Sequence, residues 1–152
     1  EDIVMFGLKR LLGGKANELK VVSKKIENRN LMEAIVGGQL LIAYSEDRNL
    51  DDSERTKIEG LLRTNPNLSS FGNELTDYFN QTNNALKAGY ITARLRILRE
   101  IEEIKNNPNE AQDVMGNLLE VALADGNISE AEEKELKAIA SKLNQNLDDF
   151  LQ

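Results

Sequence analysis

The chain has 152 residues, with 19 Lys and Arg against 26 Asp and Glu, a net charge of −7, and no Cys, His or Trp. That length suits one domain with a closed core, and 40% hydrophobic with 30% charged residues fits a folded globular chain. The absence of Cys and His excludes disulfides, thiol or imidazole catalysis and iron–sulfur clusters, and leaves oxygen as the only good metal donor, which favours Ca²⁺ or Mg²⁺.

Charge is uneven along the chain. The first 32 residues carry a net of +3 and the remaining 120 a net of −10. An acidic body argues against nucleic-acid binding, where a basic face is expected. Residues 1–15 read as a flexible arm, with Met5 as the expected native start and Glu1 to Val4 extraneous to it. Met5, Phe6, Leu8, Leu11 and Leu12 lie near helical spacing beside Lys9 and Arg10, and Gly13-Gly14 ends the stretch. Phe6, Lys9 and Arg10 are therefore candidates for contact with an anionic membrane surface or an acidic partner; a frayed or loosely docked terminus is the alternative. The opening EDIVMFGLKR lacks the apolar stretch of a secretory signal. The longest apolar run, LMEAIVGGQLLIAY, is interrupted by Glu33 and Gln39, so no membrane span is expected. A cytoplasmic location is expected.

The next residues, 16–152, read as a single helical domain. Apolar residues recur at helical spacing, predicting helices at about 16–27, 30–45, 51–64, 72–87, 90–105, 109–124 and 129–143, with a short turn near the C-terminus. Asn65-Pro66 and Asn107-Pro108 mark helix stops, because Pro removes a donor and disfavours helix in the residue before it. No alternating β-branched run competes. The fold class is all-α, with about seven helices.

Within this domain the chain repeats itself. Segment 38–71 resembles 116–150 at a displacement of 78 residues: Gly38 matches Gly116, Leu40 Leu118, Asp47 Asp125, Asn49 Asn127 and Glu54 Glu132. After a one-residue slip, Leu68 and Phe71 match Leu147 and Phe150. Each copy is an apolar helix, an acidic loop and an amphipathic helix. One such unit cannot bury its own apolar side, so two facing units sharing a core are expected. The first helix of each copy is apolar around most of its circumference and belongs in the middle of the fold. Gly38 and Gly116 suggest a close crossing of these two helices, and Gly116→Leu is expected to destabilise strongly.

The loops share Asp-x-Asn-[Leu/Ile]-[Asp/Ser]-x-x-Glu. This is not an EF-hand: positions six and twelve hold Asp52 and Ile58 counting from Asp47, and Glu130 and Leu136 counting from Asp125. Capping boxes, Asp51-x-x-Glu54 and Ser129-x-x-Glu132, account for much of the pattern, and Asp is common in turns. Neither device obliges Asp47 and Asp125 to be acidic. Asp47, Asp51, Glu54, Asp125, Glu130 and Glu132 are thus the candidate residues for a cation site or an acidic docking surface.

These residues together resemble the TerB family of tellurite-resistance proteins. The likeness rests on the paired loops, clearest as Ala124-Asp125-Gly126-Asn127-Ile128-Ser129. It extends to Phe6-Gly7-Leu8-Lys9, Lys25 to Arg29 with Leu31-Met32, the Lys105 to Ala111 turn and the terminal Leu147-Asp148-Asp149-Phe150. The resemblance implies a four-helix-bundle core made from the two helix–loop–helix units. It also implies a cytoplasmic stress-response role in tellurite resistance, a membrane-embedded TerC-type partner and a calcium-binding TerD-type partner. The loop acids it carries over as a suggested site for Ca²⁺ or another hard divalent cation are Asp47, Glu54, Asp125 and Glu132. Arg48 departs from the pattern, which prefers Gly there as Gly126 provides; its guanidinium is expected to offset charge in the first loop.

An enzyme is not expected. Direct tellurite reduction needs thiols, a flavin or another redox centre. The phosphate-loop lookalike Gly13-Gly14-Lys15-Ala16 has Lys9 in place of the first Gly and Ala in place of the metal-binding hydroxyl. A protein-binding adaptor is favoured, with the acidic loops, the basic arm and Lys87, Arg94, Arg96 and Arg99 as surfaces of opposite sign. A divalent-cation binder is the runner-up. Arg96–Glu100 and Arg99–Glu103 are expected as four-apart helix pairs.

Overall fold

The computed structural model describes residues 28–152. The arm with Phe6, Lys9 and Arg10, and the helix expected over 16–27, lie outside the described residues. Within them the regular structure is all helical, with no strand: α1 covers 28–44, followed by α2 (Asp52–Thr64), α3 (Asn73–Ala88), α4 (Tyr90–Glu102), α5 (Pro108–Ala122) and α6 (Glu130–Lys142). Short 3₁₀ turns stand at Ser69–Phe71, Leu123–Asp125 and Leu147–Phe150.

Helix boundaries follow local chemistry. Asp51 and Ser129 close capping boxes: the Asp51 carboxylate accepts from Glu54 N at 2.7 Å and the Ser129 hydroxyl from Glu132 N at 3.1 Å. Each N3 glutamate returns the bond by accepting from the cap's backbone N–H. α5 starts at Pro108 behind the Asn107 cap. α4 stops short of the expected residue 105 because its tail tightens into i→i−3 bonds, from Ile104 N to Ile101 O and from Lys105 N to Glu102 O.

α1 is the central element. Every residue from Leu31 to Tyr44 is buried except Glu33, which is half-buried. Around it the other helices form a bundle in which α3 packs on α4, α6 on both α4 and α5, and α2 on α5. The buried faces of α5 (Ala111, Val114, Met115, Leu118, Leu119, Ala122) and α6 (Leu136, Ile139, Ala140) complete one core cluster with α1.

The two copies have matching elements. α1, the first loop, α2 and the Ser69–Phe71 turn correspond to α5, the second loop, α6 and the Leu147–Phe150 turn. Leu68 and Leu147 are both buried, and Phe71 and Phe150 are both half-buried against the core.

The glycine expectation needs correction. A Cβ on Gly38 would lie 2.7 Å from Leu118 Cδ2, and one on Gly37 2.7 Å from Ile97 Cγ2, so α1 approaches α5 and α4 closely at this pair. Gly116 has nothing among the described residues within 4 Å of its would-be Cβ. Between the described helices the close approach is therefore made by the glycines of α1 and not by Gly116.

Candidate functional site

The acids of both loops meet at one cleft. It has a volume of about 600 Å³ and an apolar floor from Ile42, Ala43, Val121 and Ala124. Its walls include Glu46, Asp47, Asp51 and Glu54 from the first copy and Asp125 and Glu132 from the second, with Lys57 as the one basic lining residue among those described. The geometry follows from the central position of α1 beside α5: both helices release their loops at the same end. The leading acids, Asp47 and Asp125, sit just past the ends of those helices, and Glu54 and Glu132 sit in the first turns of α2 and α6.

Several of these carboxylates are already engaged through one oxygen. Asp47 accepts from Asn49 N at 3.2 Å, an Asx turn; Asp51 accepts from Glu54 N at 2.7 Å; Glu54 accepts from Asp51 N at 3.3 Å; Glu132 accepts from Ser129 N at 3.0 Å. The Asp125 carboxylate makes no hydrogen bond or ion pair with the described residues. Burial pushes the Glu54 carboxyl up to about 7, aided by the negative charges of Asp51 and Asp47 and opposed by the bond from the Asp51 backbone. Glu54 also helps raise Tyr44 above the ordinary tyrosine value, after burial.

The donors suit a hard cation in kind, all being carboxylate oxygens. Among the described residues, however, no group of three acids converges closely enough to hold a metal ion as placed.

Of the six loop acids singled out in the sequence, five line this cleft and one does not. Asp47, Asp51, Glu54, Asp125 and Glu132 are brought together. Glu130, exposed at the first position of α6, is not in the lining. Glu46 and Lys57 were missed: Glu46 has Ala124 as its counterpart in the repeat and Lys57 has Glu135, so the repeat gave neither any weight.

Arg48 does not serve the cleft. Its guanidinium lies over the Tyr90 ring, 4.6 Å from the centroid, and lines a separate groove between α4 and α6. Its backbone holds φ 54°, the left-handed region that Gly126 occupies at 92° in the second loop. The Arg48 guanidinium thus sits on Tyr90 and makes no ion pair with Asp47 among the described residues, in contrast to the counterion role expected of it.

The basic cluster is divided, with Lys87 in the last turn of α3 and the three arginines on α4, where two of them are already paired. Arg94 makes three bonds to the buried Glu135 carboxylate, at 2.6, 3.0 and 3.2 Å. Arg96 pairs with Glu100 at 3.7 Å. The expected Arg99–Glu103 pair is absent among the described residues.

No helix among the described residues is long and apolar enough to cross a membrane. No curated protein and no solved structure matches the chain. A family model described as "Tellurite resistance protein TerB" matches residues 33–152, from the first turns of α1 to the last residue, and so includes both loops and the cleft between them. The chain belongs to the TerB family of tellurite-resistance proteins.

Proposed function

We propose that this protein acts as a non-enzymatic cytoplasmic adaptor in tellurite resistance and the associated stress response, with the acidic cleft as its docking site for a basic segment of a protein partner. The observation that carries this reading is the convergence of Asp47, Asp51 and Glu54 with Asp125 and Glu132 on one cleft with an apolar floor. A lysine or arginine side chain can lay its methylenes on the half-buried Val121 and Ala124 while its charge meets the acids at the rim. The resemblance to TerB proteins suggests a TerC-type membrane protein or a TerD-type protein as the source of that segment. Non-catalytic action is supported by a composition without thiol or imidazole.

A divalent-cation reading is the second. It is favoured by Asp125, whose carboxylate has no partner among the described residues. In that reading the loops rearrange around the ion, since among the described residues no three acids lie close enough together to hold a metal as placed.

The two separate in one experiment, a ¹⁵N NMR titration of the whole chain with an oligolysine peptide and, separately, with calcium chloride. The adaptor reading expects oligolysine to shift residues of both loops and calcium at millimolar level to shift neither. Calcium shifts centred on Gly126 and lost in Asp125→Asn would favour the ion. No response to either would overturn both.

A further inference from the structure

A second surface, distinct from the acidic cleft, lies where α4 meets α6. It is a groove of about 480 Å³ with Tyr90, Ile91, Arg94 and Leu95 on one side and Ala131, Lys134, Glu135 and Ala138 on the other. Ile91 is 68% exposed and Leu95 48%, two of only four large hydrophobic side chains that stand exposed among the described residues. They are four apart on α4, one above the other on one helix face. Opposite them Ala131 and Ala138 are seven apart, about two turns, and their small side chains leave room for a helix to approach the α6 backbone.

The charge of this groove runs against that of the chain. In a protein of net −7 the lining holds, among the described residues, Arg48, Arg94 and Lys134 against Glu135 alone. Glu135 is already neutralised by the fork of Arg94. Arg48 is held at the rim by the Tyr90 ring, which itself stacks on the buried Tyr44 at 6.2 Å between centroids. Lys134 is exposed and makes no ion pair among the described residues. An apolar trough flanked by two outstanding cations matches an amphipathic helix with carboxylates beside its apolar stripe.

We propose that the α4–α6 groove docks an acidic amphipathic helix of a protein partner. Its apolar residues pack between Ile91 and Leu95 on one side and Ala131 and Ala138 on the other, and its carboxylates meet Lys134 and Arg48. Residues 1–27 of the chain itself are a poor match, with six basic residues against four acidic ones. The acidic cleft and this groove share the first loop, Asp47 facing one and Arg48 the other, yet they select partners of opposite charge.

The test uses the whole ¹⁵N-labelled chain and two synthetic helical peptides with the same leucine stripe, one flanked by glutamate and the other by lysine. The glutamate peptide is expected to shift Ile91, Leu95, Ala131 and Ala138, and to bind at least about tenfold more weakly to Lys134→Glu, an exposed change whose fold is checked by circular dichroism. Four results would overturn the proposal: no shift with either peptide, equal response to the lysine peptide, undiminished binding in Lys134→Glu, or groove shifts that follow protein concentration without peptide and so report a second copy. The acidic-cleft reading stands or falls separately, because its probe is oligolysine and its reporters are the two loops.

Discussion

Gln39 of α1 donates from Nε2 to the backbone carbonyl of Asn117 in α5, 3.3 Å away, and these two positions are each other's counterparts in the 78-residue repeat. The crossing of the two central helices is thus marked by a bond between equivalent residues, one step from the contact of Gly38 with Leu118. Gln39 is fully buried and its Oε1 has no hydrogen-bond partner among the described residues. Gln39→Met, of similar length, removes that orphan oxygen together with one long bond, and is expected to change stability by less than about 1 kcal/mol. Urea denaturation measures it; a loss of several kcal/mol would mean that the bond pins the crossing.

The glycines give the opposite pair of outcomes. Gly37→Ala drives a methyl against the stiff, fully buried Ile97, and Gly38→Ala against the fully buried Leu118. Each is expected to lower stability by about 1–3 kcal/mol. Gly116→Ala meets open space in a helix interior and should raise it by about 0.5–1 kcal/mol. Chemical denaturation of the three variants checks the order, and a destabilised Gly116→Ala would restore the symmetric crossing that the structure lacks.

At the loops, Gly126 holds φ 92° and Arg48 holds φ 54° at the equivalent turn position. Gly126→Ala forces a Cβ into the left-handed region and should cost about 1–2 kcal/mol. Arg48→Gly relieves backbone strain but loses the contact with Tyr90, so its thermal midpoint should move by only a few degrees. A large fall in Arg48→Gly would show that the cation on the ring outweighs the strain.

The pH dependence follows from Glu54. Its folded value of about 7 lies above the ordinary 4.5, so the folded state binds this proton more tightly than the unfolded chain does. The resulting stabilisation is complete below about pH 4.5 and is lost as pH rises through about 7. Denaturation midpoints should therefore fall between those limits. Glu54→Gln keeps an oxygen for the bond from Asp51 N and should flatten that portion of the profile. An unchanged slope in the variant would place the titration elsewhere.

The Arg94–Glu135 fork makes a further prediction. Glu135 is 6% exposed and takes three bonds from Arg94. Arg94→Met strands a buried carboxylate and should destabilise by about 2–4 kcal/mol, whereas Arg96→Met, at an exposed four-apart pair, should stay within about 0.5 kcal/mol. Equal effects in denaturant would show that the fork is no stronger than a surface pair.

Much of this architecture was legible in the residues because it is local. Asp51-x-x-Glu54 and Ser129-x-x-Glu132 announce their caps, Asn65-Pro66 and Asn107-Pro108 their stops, and the repeat pairs Asp47 with Asp125. What depends on packing was not legible. The repeat assigned Gly38 and Gly116 the same role, yet only Gly38 meets the side chain of Leu118, because the crossing is not symmetric in its contacts. Arg48 looked like a counterion for its neighbour Asp47. The left-handed backbone at that position sends it to Tyr90, 42 residues on, which no local pattern reveals. Glu46 joined the cleft through the end of α1 and not through any motif.

The central claim is that the two loops form one binding site. Isothermal titration of the whole chain with oligolysine tests it most directly, using Asp47→Asn and Asp125→Asn beside the parent. The account expects a single event with one peptide per chain, weakened at least about fivefold by either substitution alone. Two independent events, or an affinity untouched by one of the two substitutions, would contradict it.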